Sequence, residues 1–420
     1  MNDADAAAIS HGLDEMGLSR TLDPQQADLL VLITCVVRQS AEDKVVGRLT
    51  SLQHLKHSRP QALVVVMGCF VGDVSALSAR FPHVDAFLQP SDLQGLFDLV
   101  SRQMQPRLGD HTSPSCGGGS VVSALVPISY GCDHHCTYCI VRLRRGGQQS
   151  RLLPDILADV AAWVQRGARE VTLLGQNVDA YGQDLSPGSP DLADVLHAVH
   201  CLDGLWRIRF LTSHPGDLSD KLIHAVTTLP KVCPHFELPV QSGDDRILHM
   251  MGRRYTVGQY RDLVASIRRQ VPGCSIATDV IVGFPNEDES RFQATYDLLS
   301  SLRFDAVHIA KYSPRPGTPA ARLADDITPE EKERRRALLE ELQTHIALAT
   351  NAFLGGQRVN ILVEDRQRGR WRGRTVTNKL VFFEDGANWR GQLASVRITW
   401  AGPWSLRGEL AENCRVPCRP

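Results

Sequence analysis

The sequence predicts an α/β protein with an amino-terminal parallel α/β sheet domain, a central (βα)6 partial TIM barrel and a small carboxy-terminal antiparallel β-barrel. Apolar strands alternate with helical stretches early in the chain, and six further strands of this kind recur from Val121. The last part holds short strands with glycine punctuation and no long helix. We place the first domain at residues 1–106, a linker at 107–120, the central barrel with a helical extension at 121–355 and the small barrel at 356–420.

Composition and charge narrow the class of protein. The 420 residues carry a formal net charge of -1, so any surface that attracts nucleic acid must be local. Residues 1–17 lack the basic head and apolar middle of a signal peptide. The longest apolar run, ALVVVMGCFV from Ala62, is shorter than the roughly 18 residues of a membrane helix. We therefore expect a cytoplasmic protein without a membrane partner.

Two cysteines stand at matching positions in the first domain. The apolar strands DLLVLITC and ALVVVMGC end at Cys35 and Cys69, and a helical stretch separates them. Such continuous apolar strands predict a parallel sheet with both faces covered. Open α/β sheets place ligands at the carboxyl ends of their strands, so the two thiols are predicted to share a site. In a reducing compartment, grouped cysteines indicate metal binding or catalysis more often than disulfides.

The six strands of the central barrel end in polar residues. Their sequences are VVSALVPISY, EVTLLGQNV, WRIRFLTSH, HFELPVQ, SIATDVIVGF and AVHIAKYS. Active sites of such barrels lie at the carboxyl ends of the strands, which indicates an enzyme. Hydrogen bonding at the strand ends is the alternative role for each polar residue. The residues predicted here to hold a cofactor or a base are Gln176, Ser213, Gln241 and Ser242, with Asp279 and Arg315 as less specific candidates.

The stretch YGCDHHCTYC places Cys132, Cys136 and Cys139 within eight residues, on the loop after the first barrel strand. Iron–sulfur clusters and structural zinc sites commonly use four protein ligands. A cluster with three thiolates keeps one metal position open for a small molecule. One alternative is a zinc site formed by the three cysteines and closed by His134 or His135. A second alternative is that the three thiols are unrelated to one another.

The carboxy-terminal segment carries the positive charge of the chain. A charged helical run from Pro329 precedes it, and residues 356–420 contain 12 Lys+Arg against 6 Asp+Glu. Alternating arginines around an aromatic ring can neutralise phosphates and stack a base, although a solvated loop fits the same composition. CRVPC, from Cys414 to Cys418, is assigned no function. The predicted RNA-binding residues are Arg368, Arg370, Trp371, Arg372 and Arg374.

These motifs together resemble a known family. CDHHCTYC matches the C-x-x-x-C-x-x-C signature of radical S-adenosylmethionine enzymes. Within that group the chain resembles the methylthiotransferases, and its LLGQNV and TSHP motifs are similar to the MiaB-like branch that acts on tRNA. The resemblance covers nearly the whole chain and ends in what looks like a TRAM domain. The further segments that carry it are LPVQSGDDRILHMMGRRYT from Leu238, TDVIVGFPNEDE from Thr278 and YSPRPGTPAA from Tyr312.

The resemblance implies a 4Fe-4S cluster on Cys132, Cys136 and Cys139 that binds S-adenosyl-L-methionine, and a second, auxiliary 4Fe-4S cluster in the amino-terminal domain. It implies transfer of a methylthio group to position 2 of N6-isopentenyladenosine next to the anticodon of tRNA. The implied partners are tRNA and an unidentified electron donor, and we expect a monomer. The alternatives are a threonylcarbamoyladenosine tRNA methylthiotransferase and a non-catalytic, zinc-containing RNA-binding protein.

The amino-terminal part departs from the family pattern. The family's auxiliary cluster uses three cysteines, and this sequence offers Cys35 and Cys69. The opening strand with the family's first cysteine is missing, Ile33 stands where the family has asparagine, and RLRRGG replaces a proline-tyrosine-threonine-arginine-glycine loop. We expect that the true start lies upstream and that the chain as written transfers little sulfur. A homologue that cleaves S-adenosylmethionine without transferring sulfur is the other expectation.

Overall fold

The computed structural model describes residues 1–35, 39–104 and 121–415. The chain divides into two compact units. The first comprises Met1–Gly119, Tyr130–His134 and Cys139–Gln148, and the second comprises Ser120–Ser129, His135–Tyr138 and Gln149–Pro420. The linker at 107–120, Cys116 and the side chains of Cys414 and Cys418 lie outside the description, so the predicted three-domain boundaries stay a prediction.

The first unit is built on a parallel sheet with the strand order β1-β2-β3. Side chains of β2 alternate between two apolar layers: Val64 and Val66 pack with α2, while Val65 and Met67 pack with residues of α1 and α4. This alternation covers both faces and confirms the predicted parallel α/β sheet. The elements are α1 (Asn2–Glu15), β1 (Leu29–Thr34), α2 (Gln39–Ser58), β2 (Leu63–Gly68), α3 (Val74–Arg80), β3 (Ala86–Leu88), α4 (Leu93–Met104) and α5 (Val141–Arg145).

The second unit begins with the six predicted barrel strands, which form two three-stranded parallel sheets in the orders β4-β7-β8 and β9-β10-β11. A parallel bridge joins Ile208 to Val232, where the second strand triplet follows the first. The strands are β4 (Ser123–Pro127), β7 (Glu170–Leu174), β8 (Arg207–Phe210), β9 (His235–Glu237), β10 (Ser275–Val282) and β11 (Ala306–Lys311), with the short β5 (Ser129–Tyr130) and β6 (Gln149–Ser150) between the first two.

Helices cover the outer face of these strands. In β10, Ile276, Val280 and Val282 are fully buried in the main apolar core, whereas Asp279 lies on the opposite face, toward the barrel interior. This alternation leaves polar side chains inside the barrel. The helices are α6 (Leu153–Gln165), α7 (Leu192–His200), α8 (Asp220–Thr228), α9 (Asp245–Met250), α10 (Val257–Gln270), α11 (Glu289–Leu302) and α12 (Pro329–Ala352).

A closed five-stranded barrel ends the chain, as predicted, with the order β12-β13-β14-β16-β15. Its pairs are antiparallel except for β14 with β16. Ile361, Phe383 and Trp389 fill its core. The strands are β12 (Arg358–Gln367), β13 (Arg370–Thr375), β14 (Leu380–Phe383), β15 (Leu393–Ala401) and β16 (Leu406–Arg415).

The small barrel packs against the amino ends of the central strands. Arg207, at the start of β8, donates to the carbonyl oxygen of Arg374 at 2.6 Å, and Arg209 donates to that of Thr375 at 2.7 Å. The Arg209 bond is buried and the Arg207 bond is partly buried, so these charge-assisted contacts hold the small barrel in place. The carboxyl ends of the strands lie on the opposite side. Within the part of the chain described, none of the helices combines the length and apolarity needed to cross a membrane.

Candidate active site

Three polar side chains meet on the inner face of the sheet formed by β9, β10 and β11. The ligand atoms of Glu237, Asp279 and His308 lie within 4.8 Å of one another. His308 is paired with Asp279 in the strand register, and its Nε2 lies 3.8 Å from Glu237 Oε1. Burial raises the pKa of Glu237, and the negative charge of Asp279 raises it further. The interior trio of Glu237, Asp279 and His308 therefore offers hydrogen-bonding groups for a polar ligand inside the barrel.

Sequence reasoning named Asp279 and missed the other two members of the trio. The sequence did contain a signal for them, because Glu237 and His308, like Asp279, are titratable residues within predicted barrel strands. Only the register of β9, β10 and β11 shows that they share a face: His308 is opposite Asp279, and Glu237 is opposite Ala277, two residues before Asp279.

Gln176 follows β7, as predicted, and keeps an acceptor available. Its Oε1 atom is buried and has no hydrogen-bond partner among the described residues. An unpaired buried acceptor costs about 1–3 kcal/mol, so such a group indicates a ligand-facing position. Gln176 is thus the predicted cofactor-binding residue whose side chain best fits that role.

Ser213 has a structural partner. Its hydroxyl donates to Asp179 Oδ1 at 3.0 Å, and the backbone N–H of His214 donates to Asp179 Oδ2, also at 3.0 Å. Burial raises the pKa of Asp179 to about 7. Asp179, which sequence reasoning missed, therefore fixes the loop after β8, and the Ser213 hydroxyl is engaged in that contact.

Gln241 and Ser242 differ in orientation. Gln241 has a left-handed backbone with φ 73°, and its N–H donates to the carbonyl oxygen of Asp279 at 2.9 Å. This contact ties the residue to β10 beside the interior trio. Ser242 is fully buried, and its Oγ lies 3.5 Å from Thr295 Oγ1 of α11. Ser242 thus faces the helix layer, away from the ligand position that the sequence predicted.

The three cysteines of the motif, Cys132, Cys136 and Cys139, are half-buried. In the first unit, the N–H of Cys132 donates to the carbonyl oxygen of Gly146 at 3.2 Å. A Cβ on Gly131 would come within 1.9 Å of the carbonyl oxygen of Gly147, so this turn requires glycine. The loop that carries Cys132 is therefore closed on itself by backbone contacts.

The segment around Cys136 is held within the second unit. The N–H and hydroxyl of Thr137 donate to the carbonyl oxygens of Met251 at 2.9 Å and Met250 at 2.7 Å. Its own carbonyl oxygen accepts from the N–H of Ala320. These contacts keep the segment in one position against α9.

Cys35 and Cys69 follow two neighbouring parallel strands, as predicted. Thr34 and Gly68 are partners in the register, and the N–H of Cys69 donates to the carbonyl oxygen of Thr34 at 3.2 Å. Cys69 is buried and Cys35 is half-buried. Within the described residues, no other cysteine directly follows a strand of this sheet, so the edge supplies two thiols.

The predicted RNA-binding arginines are mostly paired. Arg372 makes a two-bond contact with Asp365 at 2.9 and 2.7 Å, and ion pairs join Arg374 to Glu364 and Arg370 to Glu384. Arg368 is exposed at the turn between β12 and β13. Trp371 is 7% exposed and lies in the barrel core, with its Nε1–H donating to the carbonyl oxygen of Asp385. Its ring therefore packs the core and presents no open face to a base.

Comparison with known proteins shows to which family the chain belongs. The Radical SAM superfamily matches residues 126–299, the TRAM domain matches residues 353–411, and the group described as uncharacterized protein family UPF0004 matches residues 1–89. A protein of Roseiflexus sp. (strain RS-1) is 47% identical over 98% of this chain and 88% of its own length. It is named tRNA-2-methylthio-N(6)-dimethylallyladenosine synthase. The chain belongs to the radical SAM methylthiotransferase family.

Further relatives of this methylthiotransferase bear the same name. The protein of Herpetosiphon aurantiacus is 42% identical, over 98% of this chain and 95% of its own length. That of Dehalococcoides mccartyi (strain CBDB1) is 45% identical, over 98% and 96% respectively. Among solved structures, the radical S-adenosylmethionine methyltransferase TsrM from Kitasatospora setae is similar in fold, with a TM-score of 0.52 and 12% identity over 75% of this chain and 66% of TsrM.

The cysteines of this methylthiotransferase fit its iron–sulfur chemistry unequally. Iron–sulfur clusters are held mainly by cysteine thiolates, and Cys132, Cys136 and Cys139 have the three-ligand spacing that leaves one iron open. Cys35 and Cys69 offer two thiols at the edge of the first sheet, fewer than the three in the family pattern. The donor set therefore fits one cluster fully and a second one incompletely.

Proposed function

We propose that the chain transfers a methylthio group to position 2 of N6-isopentenyladenosine next to the anticodon of tRNA. One observation carries this function: 47% identity over 98% of the chain with a protein named for this reaction. The motifs around Cys132, Cys136 and Cys139 support it independently. The 4Fe-4S cluster, when bound, supplies the electron that cleaves S-adenosylmethionine, and the chain supplies binding and orientation.

The interior trio and Gln176 are proposed to orient the reacting base. An adenine with a substituted N6 offers one N–H donor and several ring-nitrogen acceptors. The carboxylate of Asp279 can accept from such a donor, while Glu237 in its protonated form can donate to a ring nitrogen. Because the base must leave its stack to enter the barrel, these contacts replace the stacking that it loses.

We propose that Cys35 and Cys69 stand at two of the three thiolate positions of the family's auxiliary 4Fe-4S cluster, and that these two thiolates alone do not retain it. Their support is their position after adjacent strands of one sheet. A cluster held there needs an additional ligand beyond these two thiolates. The count of bound iron tests this ligand set directly.

The small barrel is proposed to contact tRNA, since it matches the TRAM domain and carries an excess of basic residues. Arg368 is the member of the predicted set most available for a phosphate. An unidentified electron donor, a monomeric state and a cytoplasmic location remain proposals that follow from the sequence.

Modified nucleosides in tRNA test the function. Total tRNA from a strain that lacks the gene should lose 2-methylthio-N6-isopentenyladenosine and accumulate its unmethylthiolated precursor, and the gene on a plasmid should restore it. Loss of the 2-methylthio derivative of threonylcarbamoyladenosine instead would assign the chain to that branch. Unchanged nucleosides, with purified protein that binds zinc and yields no 5′-deoxyadenosine, would support the RNA-binding alternative.

A further inference from the structure

Arg253 is a buried cation that the family assignment does not use. It follows α9 and is 9% exposed. Its Nη2 donates to the hydroxyl of Tyr138 at 2.9 Å, and its Cζ lies 5.9 Å from the ring centroid of Tyr255. Tyr138 directly precedes Cys139 in the cysteine motif. The guanidinium therefore contacts the loop that carries the three cysteines.

The backbone on either side of this contact is tightly packed. Gly252 has φ 76°, and a Cβ at this position would come within 2.7 Å of the carbonyl oxygen of His135. The contacts of Thr137 with Met250 and Met251 lie beside it. The segments 135–138 and 250–253 thus hold each other, and Arg253 is placed by backbone as well as by its side chain.

The charge of Arg253 is stabilised by its surroundings. Burial opposes the charged form, but the electrostatic effects of Tyr138, Tyr255 and Cys136 prevail and raise the pKa of Arg253. An arginine side chain remains protonated in proteins in any case. Its Nε–H is buried and has no hydrogen-bond partner among the described residues. The residue brings a permanent positive charge and a spare donor to the surroundings of Cys136.

We propose that Arg253 is a positioning residue that fixes Tyr138 and raises the reduction potential of the iron–sulfur cluster bound through Cys136. This inference rests on the proposed function, because it requires the cluster. Reduction adds one electron to the cluster from an external reductant. A fixed positive charge nearby stabilises the reduced form more than the oxidised form, and burial strengthens that interaction. Net charge and hydrogen bonds to the sulfurs are established controls of such potentials.

The test is a redox titration of the full chain, reconstituted anaerobically with iron and sulfide and followed by electron paramagnetic resonance. The signal of this cluster is identified by its change on addition of S-adenosylmethionine. R253Q and R253M remove the charge, R253K keeps it, and Y138F removes the hydrogen bond alone. The exposed neighbour Arg254 provides the matched control R254Q.

We expect the midpoint potential to shift to more negative values in R253Q and R253M, and to stay near the wild-type value in R253K, Y138F and R254Q. Wild-type potentials in both neutral variants would overturn the proposal, as would an equal shift in R253K. If the neutral variants bind no iron, R253K decides: wild-type iron content and potential support the role of charge, and a loss of either overturns it. Absence of a cluster from the wild-type protein would instead refute the proposed function.

Discussion

Arg335 of α12 and Glu287, in the loop after β10, form a buried ion pair in which Nη1 lies 2.9 Å from Oε2. Their side chains are 4% and 0% exposed. Glu287 also accepts from the backbone N–H of Gly283. The pair therefore connects the long helix to a loop at the carboxyl ends of the barrel strands.

Removal of Arg335 should destabilise the second unit. R335M leaves a buried carboxyl group that must take up a proton or remain an uncompensated charge, and we expect a cost of about 3 kcal/mol. The measurement is the urea midpoint followed by circular dichroism. Arg334, an exposed neighbour on the same helix, gives the control R334M, which should cost less than about 1 kcal/mol. Equal midpoints for the two variants would contradict the role of the buried pair.

Asp179 should make stability depend on pH. Burial raises its pKa to about 7 from 3.8 in the unfolded chain, so the folded protein binds the extra proton between these values. The stability from this group is complete below the unfolded pKa and declines as the pH rises through about 7. D179N mimics the protonated form. Its unfolding free energy should therefore fall less than that of the wild type between pH 4 and pH 7, a range of about three pH units. Parallel urea midpoints across this window would refute the assignment.

Glu237 should affect the reaction without affecting iron binding. E237Q keeps a donor and an acceptor but removes the titratable proton, and E237A removes both. We expect methylthiolation to fall by about 10-fold or more in E237A and less in E237Q. Product nucleosides by mass spectrometry and iron content are measured together. The exposed Glu409 supplies the control E409A. Wild-type turnover in E237A would exclude the interior trio from base orientation.

The iron content should reflect the available thiolates. We expect about four irons per chain, because one cysteine motif is complete and the sheet edge offers two thiols. C132A should reduce the iron content to near zero, whereas C35A should change it little. About eight irons per wild-type chain would show that the second cluster is held despite the two-cysteine edge. Zinc in place of iron would refute the catalytic assignment.

The surface of the small barrel should bind tRNA through its exposed arginine. R368Q removes an exposed charge, so tRNA affinity should fall several-fold. The slope of log affinity against log salt concentration should decrease in magnitude by about one. R372Q breaks the contact with Asp365 and should have a smaller effect on affinity. W371F should lower the thermal stability of the barrel and leave affinity unchanged, because the ring is buried. Filter binding at several salt concentrations measures the tRNA affinity of the three variants. A large loss of affinity in W371F alone would support stacking of a base on this ring.

The sequence by itself determined the fold class, the three-cysteine motif and the placement of Gln176, Cys35 and Cys69 at strand ends. These features are local, since hydrophobic periodicity and motif spacing extend over a few residues. The end of a strand can be predicted from its own residues, without knowledge of the neighbouring strands.

The tertiary structure alone decided which polar groups face one another. The interior trio depends on the register of three strands, and the contact of Arg253 with Tyr138 joins residues 115 positions apart. It likewise placed Trp371 in the barrel core and gave Ser213 and Ser242 structural partners. Side-chain orientation depends on burial and on partners distant in the chain, and neither is contained in a short stretch of sequence.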